Sequence, residues 1–536
     1  MPRSAGRRRE PAGLAAGIAV LVVVVALLSG CAVGPSIRPP VAIRGSSAVD
    51  GGAPNAPGSG QPVEPRIPVP DVGVPNVVDF ADCTDEIAPV RPLPVPPDRV
   101  LRYECADLPV GVDSATGRHR QSSIGLMRVT LAGQTQPKPP LLVLGDSDGE
   151  TGTLRAARLG SEVPLDLLRN FSLVGMDRRG QGTSHLDCAP PDMRSAILDT
   201  DLSSGNPQAA DTLLENVRRV VQECYLAEGE TIANYDTQHT ARDVERARLL
   251  LGVHTLSAIG LGDGARALAV WAQNSPESVG RLVLDAPPDP TTDVIGTAEA
   301  RATAAEGTFD AFARICASHP GCPLGPDPKT ALRRLVDQLH TRPELGADGD
   351  RLTGAGVTNA VLVGLDDPAS WPELAAAIGS ARTGNPAGLL KYLDQLVGPN
   401  GRFDLALATT CNDTAQRISP PQVLQLISKW RVDHPLFGPL MAQRLLLCSA
   451  WPVPADPAEV GPAVQDPPML VLATALSPRE PLQSYQRAAN RLVPAKVVSW
   501  QGAGRDAYPH TPCVTSAVDE LLIDGTVPDT SVLCPP

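Results

Sequence analysis

The sequence predicts an α/β fold built on a mostly parallel sheet, and three patterns carry that reading. Short apolar runs recur at 125–131, 140–145, 171–177, 255–260, 281–285, 468–475 and 496–501. The later runs are continuously apolar, as expected of parallel strands buried on both faces. Helical patterns such as 211–227 and 240–251 separate them, the alternation of a sheet with helices on both faces. Between 289 and 465 the pattern changes to Ala- and Leu-rich amphipathic segments at 299–318, 330–340, 371–378, 385–397 and 421–434. That block is expected to be a helical cap inserted before the last strands.

From the amino terminus, residues 1–30 read as an export signal. Arg3, Arg7, Arg8 and Arg9 precede an apolar run from Leu14 to Leu28. At ~15 residues the run is short for a membrane span and suits a signal peptide. Leu28-Ser29-Gly30-Cys31 resembles a bacterial lipobox, which implies cleavage before Cys31 and a diacylglycerol on its sulfur. The alternative is an uncleaved amino-terminal anchor. A fuller twin-arginine context is missing, so ordinary Sec export is expected, with the chain anchored by lipid on the outer face of the cytoplasmic membrane. Residues 31–75, rich in Pro, Gly, Ser and Ala, read as a tether. The core is expected over 76–288 and 466–536, with the cap over 289–465.

Besides Cys31 there are ten cysteines, an even number, scattered without C-x-x-C spacing: Cys83, Cys105, Cys188, Cys224, Cys316, Cys322, Cys411, Cys448, Cys513 and Cys534. This points to disulfides in an oxidising compartment rather than to zinc. Near-neighbour pairing would join 83–105, 188–224, 316–322, 411–448 and 513–534, although sequence alone leaves connectivity open. The formal charge is −13, and removing four Arg and one Glu with the leader (−13 minus 3) gives −16. That balance disfavours nucleic acid and anionic lipid as partners of the folded part. Only five of the 46 basic residues are Lys, which is read as genome composition rather than function.

The most telling motif is a catalytic turn without its catalytic atom. Residues 256–270 read as a buried strand, a Gly-rich turn and a helix, the layout in which G-x-S-x-G lifts a nucleophilic serine above the sheet of an α/β-hydrolase. Here the turn is Gly260-Leu261-Gly262-Asp263-Gly264, with glycine at the serine position.

Further segments resemble the secreted tripeptidyl-aminopeptidase-like branch of the α/β-hydrolases, related to prolyl aminopeptidases. YECADLPV from Tyr103 to Val110 is similar to the family's opening strand. FSLVGMDRRGQGTS from Phe171 to Ser184 resembles its VGxDxRGxGxS segment, followed by Cys188. Tyr235-Asp236-Thr237, the run Asp243 to Arg248 and Leu251-Gly252 resemble the helix before the turn. Phe312 to Cys316 and Pro320 to Gly325 match its cap, and Cys448, Trp451-Pro452 and Asp524 to Pro528 complete the likeness.

The resemblance implies an α/β-hydrolase fold with an inserted helical cap, and a Ser, Asp, His triad in that chain order. Carried over position by position, the serine is Gly262, the acid is Ser477 in the turn Leu476 to Pro481, and the histidine is Arg505 after Gly502-Ala503-Gly504. The oxyanion loop implied after 140–144 reads Gly145-Asp146-Ser147-Asp148-Gly149-Glu150, whose carboxylates would repel a developing negative charge. Loss of the nucleophile weighs most, at about 10⁶-fold in a serine protease.

Gly145 to Gly149 also matches G-x-S-x-G literally, so a relocated site using Ser147 with His510 is the competing reading. No elbow-type helix is expected directly after it, and a solvated acidic loop is the plainer interpretation. His510 reads as a surface or structural residue near Cys513, Glu480 as an exposed turn residue and His185 as a loop residue. Asp146, Asp148, Glu150 and Asp263 could gather around Ca²⁺ or a cationic ligand, but a solvated acidic rim is the simpler expectation. Asp177 and Asp285 are read as structural. No cofactor or metal is expected. The expectation is a lipid-anchored pseudohydrolase with no catalytic residue, holding a peptide, small molecule or envelope partner under its cap. Its rivals are an active serine hydrolase and a binding or scaffold lipoprotein whose pocket has closed.

Overall fold

A computed structural model describes residues 70, 78–112, 120–203, 205–347, 349–455, 457–461, 469–492 and 495–536. The leader, Cys31 and all of the tether but Pro70 lie outside the described residues. In chain order the strands are β1 (Ala81–Asp82), β2 (Leu101–Val112), β3 (Arg120–Leu131), β4 (Pro140–Leu144), β5 (Ser172–Met176), β6 (Leu256–Leu261) and β7 (Val279–Asp285). There follow β8 (Glu344–Leu345), β9 (Arg351–Leu352), β10 (Met469–Leu476), β11 (Lys496–Ala503) and β12 (Val532–Cys534). The main sheet runs β1-β2-β3-β5-β4-β6-β7-β10-β11-β12, and β8 and β9 form a separate small hairpin. The neighbours from β5 to β12 are parallel, and β1 to β3 join them antiparallel.

The apolar runs explain the layering. In β4, Leu142 and Leu144 face one helical layer while Leu141 and Val143 face the other. The first layer holds Thr237–Leu250, Asp263–Asn274 and Leu482–Arg491; the second holds Gly152–Glu162, Leu165–Asn170 and Pro512–Asp519. A third apolar cluster contains no strand of the main sheet. It gathers Phe309, Phe312, Trp371, Trp430 and Phe437 from the inserted block. It also takes Ile197, Leu213 and Val217 from Pro191–Asp199 and Pro207–Glu228. The helix expected at 211–227 therefore packs with the helical block instead of lining the sheet.

Five disulfides join Cys83–Cys105, Cys188–Cys224, Cys316–Cys322, Cys411–Cys448 and Cys513–Cys534, the near-neighbour pattern. One expectation needs correcting. A helix, Gly152–Glu162, does follow the Gly145–Gly149 loop, with the Thr151 hydroxyl accepting from Leu154 N at 3.2 Å.

Strand register decides what meets at the sheet's carboxyl edge. Leu144 pairs with both Met176 and Gly260, Leu261 and Leu472 with Asp285, and Leu476 with Ala503. The chain runs from β4 to β5 on one side and returns to β6 on the other, so the order reverses at β4, where open parallel sheets bind ligands.

Candidate active site

The turn after β6 keeps the conformation of a nucleophile elbow. Gly262 has φ 58° and ψ −124°, its N–H donates to Asp285 O at 2.9 Å, and its carbonyl accepts from Arg266 N at 3.2 Å as the helix Asp263–Asn274 begins. The space a nucleophile would need is occupied. A Cβ built on Gly262 would lie 2.7 Å from Asp146 Cγ and closer still to Asp146 Oδ2. The Asp146 carboxylate fills the volume above the elbow.

Arg505, at the histidine position, holds that carboxylate. Its Nη2 pairs with Asp146 Oδ2, and its Nη1 reaches Asp366 Oδ2 at 3.5 Å. Gly149 makes the crossing possible, because a Cβ there would lie 2.7 Å from both terminal guanidinium nitrogens. At the acid position, Ser477 is buried and its hydroxyl accepts from Arg479 N at 3.2 Å. Arg479 extends the network, donating from Nε and Nη2 to Asp366 at 2.9 and 2.5 Å and from Nη1 to Asp148 at 2.5 Å. Asp366 follows the helix Gly354–Gly364, so these bonds tie the helical block to the sheet edge.

Two backbone donors of the loop are also engaged. Ser147 N donates to Asp263 Oδ1 at 2.8 Å and Asp148 N to Asp146 Oδ1 at 3.2 Å. In this fold an oxyanion hole draws on an amide of this loop and on the amide after the nucleophile. Here carboxylates of the chain itself sit where an oxyanion would be stabilised.

The charges follow from these contacts. Burial pushes Asp146 and Asp148 up, but their partners together outweigh it, Arg505 with Asp263 and Arg479 for the first and Arg479 with Arg402 and Arg505 for the second, leaving both well below the usual carboxylate range. Burial raises Asp263 to about 7; Arg178, 2.6 Å away, opposes the rise and neighbouring Asp146 adds to it. The acidic loop is therefore a partly buried, arginine-paired segment rather than a freely solvated rim. Asp146, Asp148 and Asp263 are matched by Arg505, Arg479 and Arg178, while Glu150 pairs with Arg158 at 3.0 Å.

Ser147 and His510 both line one cleft of about 1090 Å³, beside His185, Asp366, Arg402 and Arg505. They hold different partners. The Ser147 hydroxyl bonds to Asp263 Oδ2, whereas His510 Nε2 meets Asp506 Oδ1 at 2.8 Å and its ring stacks on Trp500 with centroids 4.9 Å apart. Burial lowers the His510 pKa but Asp506 outweighs it, so the net shift is upward. Glu480 is buried, not exposed as expected, and faces Arg301 of the helix Val294–Ser318 at 3.6 Å. His185 follows a short 3-10 turn, and burial pulls its pKa down. Asp285 accepts from Ala507 N and Tyr508 N at 3.1 Å each; Asp177 accepts from Thr153 N at 2.9 Å and its hydroxyl at 2.8 Å. Sequence reasoning missed Asp366 and Arg479 as partners. Arg479 lay inside the turn already singled out, but Asp366 sits in the inserted block with no motif around it.

Comparison with known proteins agrees with this architecture. A family described as alpha/beta hydrolase fold matches residues 161–395, and one described as TAP-like protein matches 434–534. Carboxylesterase B of Mycobacterium tuberculosis is 28% identical over 505 residues, covering 90% of this chain and 94% of that protein. Serine protease Hip1 of the same organism is 25% identical over 461 residues, covering 80% and 87%. Tripeptidyl aminopeptidase of Streptomyces coelicolor is 22% identical over 491 residues, covering 86% of each chain.

Proposed function

Because the chain belongs to the TAP-like α/β-hydrolases, a family of aminopeptidase and protease type, we propose that it is a non-catalytic member that binds a ligand or an envelope partner in the cleft. One observation carries this reading: the Asp146 carboxylate, clamped by Arg505, fills the space above Gly262 where a nucleophile would stand. A triad works by passing a proton from serine to histidine while an acid orients the imidazole. Glycine, arginine and serine at the three positions supply no nucleophile, no base and no orienting acid. The test is fluorophosphonate labelling of the full chain, read by intact mass and peptide mapping beside an active relative. No adduct is expected; a stoichiometric adduct sinks the proposal.

A second reading is favoured by Ser147, which lines the cleft and donates to an acid whose pKa is raised to about 7. In that reading the chain is a serine hydrolase with a relocated nucleophile. His510 would be its base only after leaving Asp506. An adduct on Ser147 that disappears in Ser147→Ala would establish this reading.

The same proposal places the protein outside the cytoplasmic membrane, held by lipid on Cys31. Five disulfides suit an oxidising compartment. Cys31→Ala should release the chain from the membrane fraction; unchanged sedimentation with membranes would refute the lipid anchor.

A further inference from the structure

The cationic side chains of the cleft wall are Arg155, Arg158, Lys391, Arg402 and Arg505. Three are matched: Arg155 by Asp506 at 2.8 Å, Arg158 by Glu150 at 3.0 Å, and Arg505 by Asp146 and Asp366. Lys391 is exposed. Arg402 is different. It stands just before the helix Phe403–Asn412, and its Nη1 donates only to the Asp148 carbonyl at 3.4 Å. Its Nε and Nη2 are buried and have no hydrogen-bond partner among the described residues. The nearby carboxylates of Asp148 and Asp366 are both committed to Arg479 at 2.5 Å. Burial lowers the Arg402 pKa, Asp148 and Asp366 oppose that, and the like charges of Arg505 and Arg479 add to it.

Nε and Nη2 form one edge of the guanidinium, the planar fork that takes an oxyacid through two parallel hydrogen bonds. Leaving buried donors unmade is costly, so an anion reaching that edge recovers what the folded chain forgoes. A single negative charge suits the site better than a phosphate dianion, because Asp366, Glu150 and Asp506 line the same cleft. Leu261, Val363 and Leu405 offer apolar wall for a carbon skeleton.

We propose that Arg402 is the carboxylate-binding residue of this cleft, taking a ligand carboxylate on its Nε–Nη2 edge. This rests on the reading of the cleft as a binding site, and it names the chemical class of ligand. The carboxylate could be the terminus of a short peptide or belong to a small organic acid, and the test separates the two.

The experiment is calorimetric titration of the full chain in detergent with trialanine, trialanine amide, propionate and acetate. A peptide terminus predicts that trialanine binds about tenfold more tightly than its amide. A small acid predicts that propionate or acetate binds instead. In either case Arg402→Gln should abolish the preference. Arg402→Lys, which keeps the charge and loses the fork, should retain only part of it, and it carries the test if the glutamine variant does not fold. Failure of the wild type to bind any of the three acids in preference to the amide overturns the proposal. So does a preference that survives at full strength in Arg402→Lys. Product analysis of the same samples keeps the two ideas apart. Cleavage of trialanine would sink the non-catalytic reading while the affinity ratio still judged Arg402, and a wild type that shows neither preference nor cleavage would sink the carboxylate site alone.

Discussion

Two sets of carboxylates, one buried and one partly buried, stand at the same edge of the sheet and are satisfied in different ways. Asp177 and Asp285 accept hydrogen bonds from Thr153, Ala507 and Tyr508, with the closest guanidinium nitrogen to Asp285 at 3.9 Å on Arg155. Asp146, Asp148 and Asp366 are instead gripped by Arg505 and Arg479. The first set fixes backbone and needs no chemistry to justify it. The second is gathered around Gly262, Ser477 and Arg505, the positions that the family resemblance would give to a triad. The contrast separates a backbone-fixing set from a side-chain network. Adjacent strands in register and the φ of 58° at Gly262 present the elbow, and a salt-bridge network covers it.

The largest expected effect breaks that network. Arg479→Ala removes the bonds to both Asp148 and Asp366 and leaves two mostly buried carboxylates short of a partner, a loss expected to cost ~3–4 kcal/mol in urea unfolding. Asp177→Asn, which trims hydrogen bonds in the amide-satisfied set, should cost only ~1–2 kcal/mol. Equal losses in the two variants would erase the distinction between the sets.

Next comes the elbow itself. Gly262→Ser puts a side chain at positive φ and into the Asp146 carboxylate, so a loss of ~2–3 kcal/mol is expected, with no hydrolysis of p-nitrophenyl acetate above background. Adding Asp146→Gly should recover about half of that loss by clearing the space. Turnover should arise only when Ser477→Asp and Arg505→His are added as well, because the acid and base act as a unit with the nucleophile. Esterase activity in Gly262→Ser alone would mean that the arginine network is no obstacle to catalysis.

A smaller effect concerns Ser147. Removing its hydroxyl in Ser147→Ala deletes one bond to Asp263 and should cost ~1 kcal/mol. Ligand affinity should stay unchanged by calorimetry if Ser147 only braces the loop.

Much of this was legible in the sequence, for reasons particular residues make plain. The runs at 140–145 and 255–260 became β4 and β6 because short, largely apolar segments between turn residues suit strands buried on both faces. The family resemblance placed Gly262 and Arg505 by neighbouring glycines and Ser477 by the turn after its strand. It could not show that Asp146 lies over Gly262, since that depends on β4 and β6 being adjacent in register. Nor could it show the Arg479–Asp366 contact, formed between residues 113 apart. The helix Gly354–Gly364 escaped notice because it is buried all round and has no amphipathic stripe. Glu480 was misjudged because a turn reads as exposed unless its covering helix, Val294–Ser318, is in view.

The last expected effect is a slope in stability against pH, and it sets burial against arginine pairing. Asp263 and Asp285 are both raised to about 7, chiefly by burial. Between about pH 4 and 7 the folded chain holds protons that the unfolded chain has released, so stability is greatest at the acid end of that window. It falls as pH rises, by at most about 1.4 kcal/mol per pH unit for each group, and levels off above 7. Asp146 and Asp148 act oppositely: their depressed pKa values stabilise the fold above about pH 4, and that contribution is lost as acid protonates them. Asp285→Asn and Asp263→Asn should each flatten the decline between pH 4 and 7 in urea titrations. The two variants should flatten it to a similar extent, because both carboxyls stand at about 7 with Arg178 and Arg155 already opposing the rise. An unchanged slope in Asp285→Asn would mean that Asp285 is ionised in the folded protein and that pairing with an arginine, here Arg155 at 3.9 Å, governs it as Arg505 and Arg479 govern the second set.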